Sequence, residues 1–181
     1  MQIDTDFLVI GSGVSGLYLA LHLSEHGSVV LVTKGDLREA STTYAQGGIA
    51  SVLADADSFE SHIADTMNAG AGICDPAAVE ILVREGPGHI RKLMQLGAQF
   101  ERDASGNLDL AREGGHSANR IVHAADLTGK EIEMVLEKNV RARPVQILEQ
   151  HAVVELLTGR HSPDHPDPGV YGAYVYSRQT W

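Results

Sequence analysis

Phe7-Leu8-Val9-Ile10-Gly11-Ser12-Gly13-Val14-Ser15-Gly16 stands near the start of the chain, and a helical run from Leu17 to Glu25 follows it. Four apolar residues running into a glycine turn read as a buried strand, and the order strand, GxGxxG, helix is that of a dinucleotide-binding βαβ unit. Each glycine stands where a side chain would obstruct. Gly11 permits the tight turn, Gly13 lets the backbone approach a pyrophosphate, and Gly16 lets helix and strand pack closely. The first-turn amides of the helix have no partner inside it and face the anion, so the whole turn, Gly11, Ser12, Gly13, Val14, Ser15 and Gly16, is the candidate phosphate cradle.

Leu17, Ala20, Leu21 and Ser24 share one helical face, Gly27 is placed to end the helix in a left-handed cap, and Val29 to Thr33 reads as the second strand. A plain NAD site would next show an Asp or Glu for the ribose hydroxyls. Here Thr33 is followed by Lys34. A cation at this point leaves two readings, an NADP-like phosphate contact or a flavin site in which the ribose is held differently. The segment Ser41-Thr42-Thr43-Tyr44-Ala45-Gln46-Gly47-Gly48-Ile49-Ala50 reads as too polar and too glycine-rich for helix or strand. Such a loop can aim several backbone N–H groups at one acceptor, which suits a phosphate or an isoalloxazine edge. Composition alone fits a surface loop as well.

Further along, Asp57 with Glu60 reads as a helix cap, with Ile63 and Met67 on the apolar face, and Asp75-Pro76 as a helix start. The stripe Val79, Leu82, Val83, Ile90, Leu93, Met94 predicts two helices joined by a kink at Gly86-Pro87-Gly88 and stopped near Gly97. Thr128 with Glu131 reads as a capping box, Leu127 with Ile132 as a hydrophobic staple, and Ile132, Val135, Leu136 and Val140 as a buried face. Strands are expected over Val145 to Leu148, Ala152 to Leu157 and Val170 to Ser177, the last two as a hairpin. Only two strong parallel-strand signals are present, so the next central strand of a doubly wound sheet is expected beyond Trp181.

With 14 Lys+Arg against 24 Asp+Glu, the net charge is −10 and no basic stripe could follow a phosphate backbone, which argues against nucleic acid as a partner. The apolar runs fall far short of the ~18 residues of a membrane span, and Met1-Gln2-Ile3-Asp4 has no basic leader region, so no membrane is expected. Cys74 is the one cysteine, which excludes an intrachain disulfide and fits a reducing, cytoplasmic setting. His22, His26, His62 and His89 fall in expected helices and need no special role, while His161 and His165 sit in a breaker-rich turn. No His/Cys spacing resembles a zinc site, so no metal is expected.

Lys34 followed by Ser41 to Ile49, then Ala69-Gly70-Ala71-Gly72-Ile73-Cys74-Asp75, then Arg112-Glu113-Gly114-Gly115-His116-Ser117, then His123-Ala124-Ala125-Asp126-Leu127-Thr128-Gly129 occur in one order across most of the chain. In that order they resemble the fumarate reductase and succinate dehydrogenase flavoprotein superfamily, and within it the L-aspartate oxidase family. The resemblance implies an α/β fold, a Rossmann-like FAD-binding domain with a glutathione-reductase-like βαβ start, inserted helices and a β-meander. It divides the chain into a βαβ unit over 5–34, a flavin loop over 35–56, a helical insertion over 57–143 and strands over 145–177. It also implies a longer complete enzyme, of which this chain is an N-terminal portion ending before the capping domain and a proton-transfer arginine.

The resemblance assigns FAD to Gly11–Gly16, Thr33, Lys34, Ser41, Thr42, Thr43, Tyr44, Ala45, Gln46, Gly47 and Gly48, with Val153 near the adenine end through backbone groups. Where many respiratory relatives carry a covalently attached histidine, this chain carries Ser41, so the FAD is expected to be non-covalent. Glu113 stands where succinate-oxidising relatives carry an apolar aromatic, and a carboxylate there can pair with and orient the ammonium of L-aspartate. His116 and Ser117 are the other candidates in the same motif, with His116 and His123 flanking Glu113 as possible holders of a dicarboxylate. The implied activity is oxidation of L-aspartate to iminoaspartate, with oxygen or fumarate as acceptor, feeding quinolinate and NAD synthesis with quinolinate synthase as a partner. As a portion of a longer enzyme the chain alone is expected to be inactive, and three alternatives stay open: a succinate- or fumarate-acting flavoprotein, an NADP-dependent reductase exploiting Lys34, and a chain without catalysis, either a nonfunctional fragment or a nucleotide-binding module that retains the glycine turn.

Overall fold

Val29, Val30, Leu31 and Val32 are all buried, as a strand flanked on both sides must be. The computed structural model describes residues 1–125, 127–159 and 169–178. It divides into two compact units, Met1–Thr43 with Leu136–Trp181, and Tyr44–Val135. His161 and His165 lie outside the described residues, as does Asp126.

In the first unit, β1 (Phe7–Ile10), α1 (Val14–Leu23) and β2 (Val29–Val32) form the expected βαβ start, with Phe7 opposite Val29 and Ile10 opposite Val32 in parallel register. Gly11 has φ 102, a backbone that L side chains rarely adopt, and an added Cβ at Gly16 would stand 2.0 Å from the Gly11 carbonyl oxygen. Gly27 is not the expected left-handed cap. The helix stops at Leu23 with Ser24 as its C-cap, and Gly27 is small because Asp6 approaches it, 2.7 Å from where a Cβ would sit.

A third parallel strand is present within the chain. Strand β6 (Val145–Leu148) pairs with β2 in parallel, giving the order β1-β2-β6, where the sequence had pointed only beyond Trp181. The run is short and half-buried, so it lacks the apolar signature of β2. It therefore joins the sheet, and the antiparallel element that remains of the expected meander is the hairpin of β7 (His151–Thr158) and β8 (Val170–Ser177).

The second unit is less helical than the expected insertion. Its β3 (Ile49–Ala50), β4 (Leu110–Ala111) and β5 (Ile121–Val122) form an antiparallel sheet in the order β3-β5-β4. The hydroxyl-rich loop is accordingly not without structure, since Ser41–Tyr44 forms a 3-10 turn and Ile49–Ala50 a strand. Helix α2 (Phe59–Ala69) is capped by Ser58, whose side chain accepts from the Ser61 amide, and not by Asp57. Helix α3 (Pro76–Leu96) begins as expected, with Asp75 accepting from the Ala77 and Ala78 amides, and ends at Gly97 with φ 115. Pro87 lies inside it, so one continuous helix replaces the expected pair. Pro87 is buried on the same face as Val83 and Ile90, and that packing offsets the hydrogen bond it cannot donate. Leu82, expected in the stripe, is 65% exposed.

Helix α4 (Thr128–Arg141) buries Ile132, Leu136 and Val140 as expected. Its N-terminal chemistry differs from the capping box. Thr128 Oγ1 accepts from the Ala124 amide, Glu131 Oε1 accepts from the Gln99 amide 32 positions away, and Leu127 is exposed. Leu136→Ala, at a fully buried position, is expected to cost about 2–5 kcal/mol in urea unfolding. Met134→Ala, on the exposed side, should stay within about 0.5 kcal/mol. Equal losses at the two positions would reassign the buried face.

Candidate functional site

The first unit gathers the glycine turn and the start of the hydroxyl-rich segment. Ser12 is buried, and its hydroxyl lies 2.9 Å from that of buried Thr33, tying the turn to the exit of β2. Thr42 Oγ1 accepts from the Val14 amide at 3.0 Å and would be 3.4 Å from a Cβ at Gly13. Thr42, in the 3-10 turn Ser41–Tyr44, is therefore held against the first turn of α1. Gly13 caps that helix with no side-chain hydrogen bond, so its first-turn amides are not claimed by the cap residue itself. Beyond the Val14 amide, which Thr42 takes, a helix start lined by Gly13 and Gly16 fits a pyrophosphate, which needs close backbone approach and N–H donors. Lys34 is exposed and follows directly on Thr33.

Side chains some hundred positions away hold this segment in place. Glu137 is 6% exposed and accepts from both Arg38 Nε and Arg141 Nε, the latter at 2.9 Å. Burial opposes its charge, but the two guanidinium groups outweigh burial and hold its carboxyl below the usual range. Glu149 Oε1 accepts from the Leu37 amide at 2.7 Å, and the Gln150 amide donates to the Gly35 carbonyl at 3.0 Å. The loop after β2 is thus anchored to α4 and to the β6–β7 turn. Val153 sits in the β7–β8 ladder opposite Val175, two residues beyond His151, whose amide donates to the Thr33 carbonyl at 2.9 Å.

The second unit holds Tyr44, Ala45, Gln46, Gly47 and Gly48 together with Glu113, His116 and Ser117. The Gly48 amide donates to Glu113 Oε1 at 3.4 Å, and a side chain at Gly48 would collide with Ile121 and the Val122 carbonyl, 2.2 and 2.6 Å away. A tight turn closed by the His116 amide on the Glu113 carbonyl, 3.3 Å, brings these two residues to its ends, with Gly115 at φ 85.

Beneath that turn lies a buried ionic cluster. Arg120, 0% exposed, donates to Asp57 through Nε and Nη2 at 2.8 and 2.7 Å, to Asp65 through Nη1 at 2.7 Å and to Ser61 Oγ through Nη2 at 3.1 Å. Asp65 also accepts from the Ser117 amide and hydroxyl, each at 2.8 Å. Burial works against the Arg120 charge, but the two carboxylates raise its pKa further above the ordinary value. Ser117 and Arg120 hold Asp65 down at about 2. At Asp57 burial opposes ionisation, yet Arg120 and the Ser58 amide keep the carboxyl below its usual range. The sequence assigned Asp57 to a helix cap and gave His62 no special role. Instead His62 is 3% exposed, edge-on to His116 with ring centroids 5.6 Å apart, and its Nδ1 has no hydrogen-bond partner among the described residues. Partners 55 to 63 positions apart leave no local pattern that a sequence reading could detect.

Glu101, Asp109 and His123 also come together, with ligand atoms within 4.8 Å of one another, although Glu101 Oε1 already accepts from the Ala125 amide at 2.9 Å. His123 Nδ1 lies 3.6 Å from the Glu101 carboxylate. Cys74 is half-buried with Sγ 3.7 Å from the Thr66 carbonyl, as a small packed residue.

Burial and the neighbouring guanidinium hold His62 below its ordinary value of 6.5, so the unfolded chain takes up a proton that the folded chain refuses. Stability contributed by neutral His62 is therefore present above about pH 6.5 and lost as pH falls through the lower folded value. Asp65 stays ionised across that window, because its own contribution is lost only between about 3.8 and about 2. Thermal melts from about pH 7.5 down to about pH 5 are expected to show a falling Tm that His62→Gln flattens. An undiminished fall in the variant would place the proton uptake elsewhere.

Residues 6–181 match the FAD binding domain family. The chloroplastic L-aspartate oxidase 2-b of Nicotiana tabacum is 50% identical over 160 residues, covering 88% of this chain and 25% of the relative. The L-aspartate oxidase of Yersinia pestis is 42% identical over 180 residues, covering 97% of this chain and 34% of the relative. Among solved structures, E. coli quinol fumarate reductase superposes with a TM-score of 0.88 at 29% identity, covering 97% of this chain and 30% of that one. The chain spans between a quarter and a third of the length of these relatives. The βαβ start with its glycine turn agrees with a family match over nearly every residue, and the chain belongs to the FAD binding domain family.

Proposed function

We propose that the protein supplies the flavin-binding part of an L-aspartate oxidase, converting L-aspartate to iminoaspartate. In this reading Gly11, Ser12, Gly13, Val14, Ser15 and Gly16 hold the pyrophosphate of FAD, Thr33 and Lys34 lie by the ribose, and Val153 lies by the adenine. Ser41, Thr42, Thr43, Tyr44, Ala45, Gln46, Gly47 and Gly48 hold the flavin side. FAD, when bound, supplies the hydride acceptor. Ser41 cannot form the histidyl linkage of respiratory relatives, so the cofactor is held non-covalently.

The substrate assignment is carried by Glu113. Its carboxylate lies against the Gly48 amide and forms no ion pair among the described residues, while Arg120, seven positions on, has its N–H groups engaged elsewhere. A carboxylate left without a cation can orient the α-ammonium of aspartate, whereas it would repel a plain dicarboxylate. His116 and Ser117, on the same motif, stand near the substrate end. Oxygen or fumarate takes the electrons, and the imine feeds quinolinate formation and NAD synthesis beside quinolinate synthase. Cys74 as the one cysteine suits a reducing compartment such as the cytosol.

The full-length protein is expected to show flavin absorbance released by denaturation without covalent label, which Gly16→Ala abolishes, whereas residues 1–181 alone are expected to show weak or absent flavin and no turnover. In the flavin-loaded enzyme, Glu113→Gln should raise KM for L-aspartate about 30-fold, the equivalent of ~2 kcal/mol for a charge-assisted hydrogen bond, and leave succinate handling unimpaired. Unchanged aspartate kinetics would favour the succinate- or fumarate-acting reading. A colourless protein that binds NADPH would favour the reductase.

A further inference from the structure

A buried guanidinium can only donate, and that settles the chemistry of the ring beside it. Arg120 has five N–H groups and five acceptors: two oxygens of Asp57, one of Asp65, Ser61 Oγ, and His116 Nδ1 at 3.4 Å. The first four are fixed by short bonds to groups that are themselves anchored, Asp57 by the Ser58 amide and Asp65 by Ser117. Among the described residues the fifth N–H is met by His116 Nδ1, and a nitrogen that receives it carries no proton. In neutral His116 the proton then resides on Nε2.

We infer that Arg120 is a positioning residue that locks His116 in the Nε2–H tautomer, making the other ring nitrogen a standing hydrogen-bond donor for a carboxylate of the ligand. The ligand class rests on the function proposed above; the tautomer does not. Three features converge on it. His116 closes the turn whose other end is Glu113, so a cation-seeking carboxylate and an anion-seeking N–H stand at the two ends of one four-residue turn. That arrangement matches an α-amino dicarboxylate, which brings one ammonium and two carboxylates. Ser117, the next residue, is bonded through both its amide and its hydroxyl to Asp65, so the turn is fixed to the same cluster that fixes the ring. His62 Nδ1 makes no hydrogen bond, so the packed histidine does not compete for Arg120.

The experiment uses the protein labelled with 15N-histidine and long-range proton–nitrogen correlation at about pH 8, where a free imidazole is neutral. His116→Gln identifies the His116 signals. The expected spectrum has an unprotonated Nδ1 and a protonated Nε2 at His116, retained in Arg120→Lys, which still donates, and averaged between tautomers in Arg120→Met, which cannot. Addition of L-aspartate should shift the Nε2 proton downfield. A wild-type spectrum with the proton on Nδ1 overturns the inference whether or not any variant folds, and an unaltered tautomer in folded Arg120→Met overturns the role of Arg120. A locked tautomer with no response to L-aspartate overturns the ligand assignment. Loss of flavin absorbance bears on the proposed function alone and leaves the tautomer reading standing.

Discussion

The approach of α1 to the backbone leaving β1 is the constraint on which the first unit turns. A methyl group at position 16 would stand within bonding distance of the Gly11 carbonyl oxygen, so the helix can begin where it does only if that position has no side chain. Once α1 is seated, its cap residue offers no side chain, β2 is set in register against β1, and Thr33 lies by the buried hydroxyl of Ser12. Thr42 then meets the Val14 amide and brings the hydroxyl-rich segment to the helix start. Local geometry of a few ångströms thereby decides where an anionic cofactor can be read by backbone amides.

The second unit relies on charge. Burying a guanidinium is costly, and the cost is offset only when every donor finds an acceptor with good geometry. Arg120 meets that condition by drawing on Asp57, which precedes the Ser58 cap of α2, on α2 itself and on the turn that precedes β5. A guanidinium so fully satisfied has few alternative arrangements, and the turn from Glu113 to His116 is held with it. The anchoring of the loop after β2 by Glu137 and Glu149 follows the same logic in the first unit, with a more exposed set of partners.

Departures from the sequence reading share a cause: a local signal met a competitor from far along the chain. Asp57 is a good helix cap, yet it binds Arg120 while Ser58 takes the cap. Thr128 and Glu131 have capping-box spacing, yet their oxygens accept from Ala124 and Gln99. Pro87 reads as a break, yet α3 continues because that residue packs on the buried face. Val145 to Leu148 carries too weak an apolar pattern to announce a parallel strand, and pairing with β2 decides it.

The sequence alone determined the βαβ start, the positions of most helices and strands, the family resemblance and the candidate residues Glu113, His116 and Ser117. Those features rest on short-range patterns: glycine spacing, apolar periodicity and motifs of six or seven residues. Only the tertiary structure decided that Thr42 reaches the first turn of α1, that Gly48 meets Glu113 and that Arg120, Asp57, Asp65 and the two histidines form one buried cluster. Contacts between residues dozens of positions apart depend on how the elements pack, and packing leaves no periodic mark in the chain.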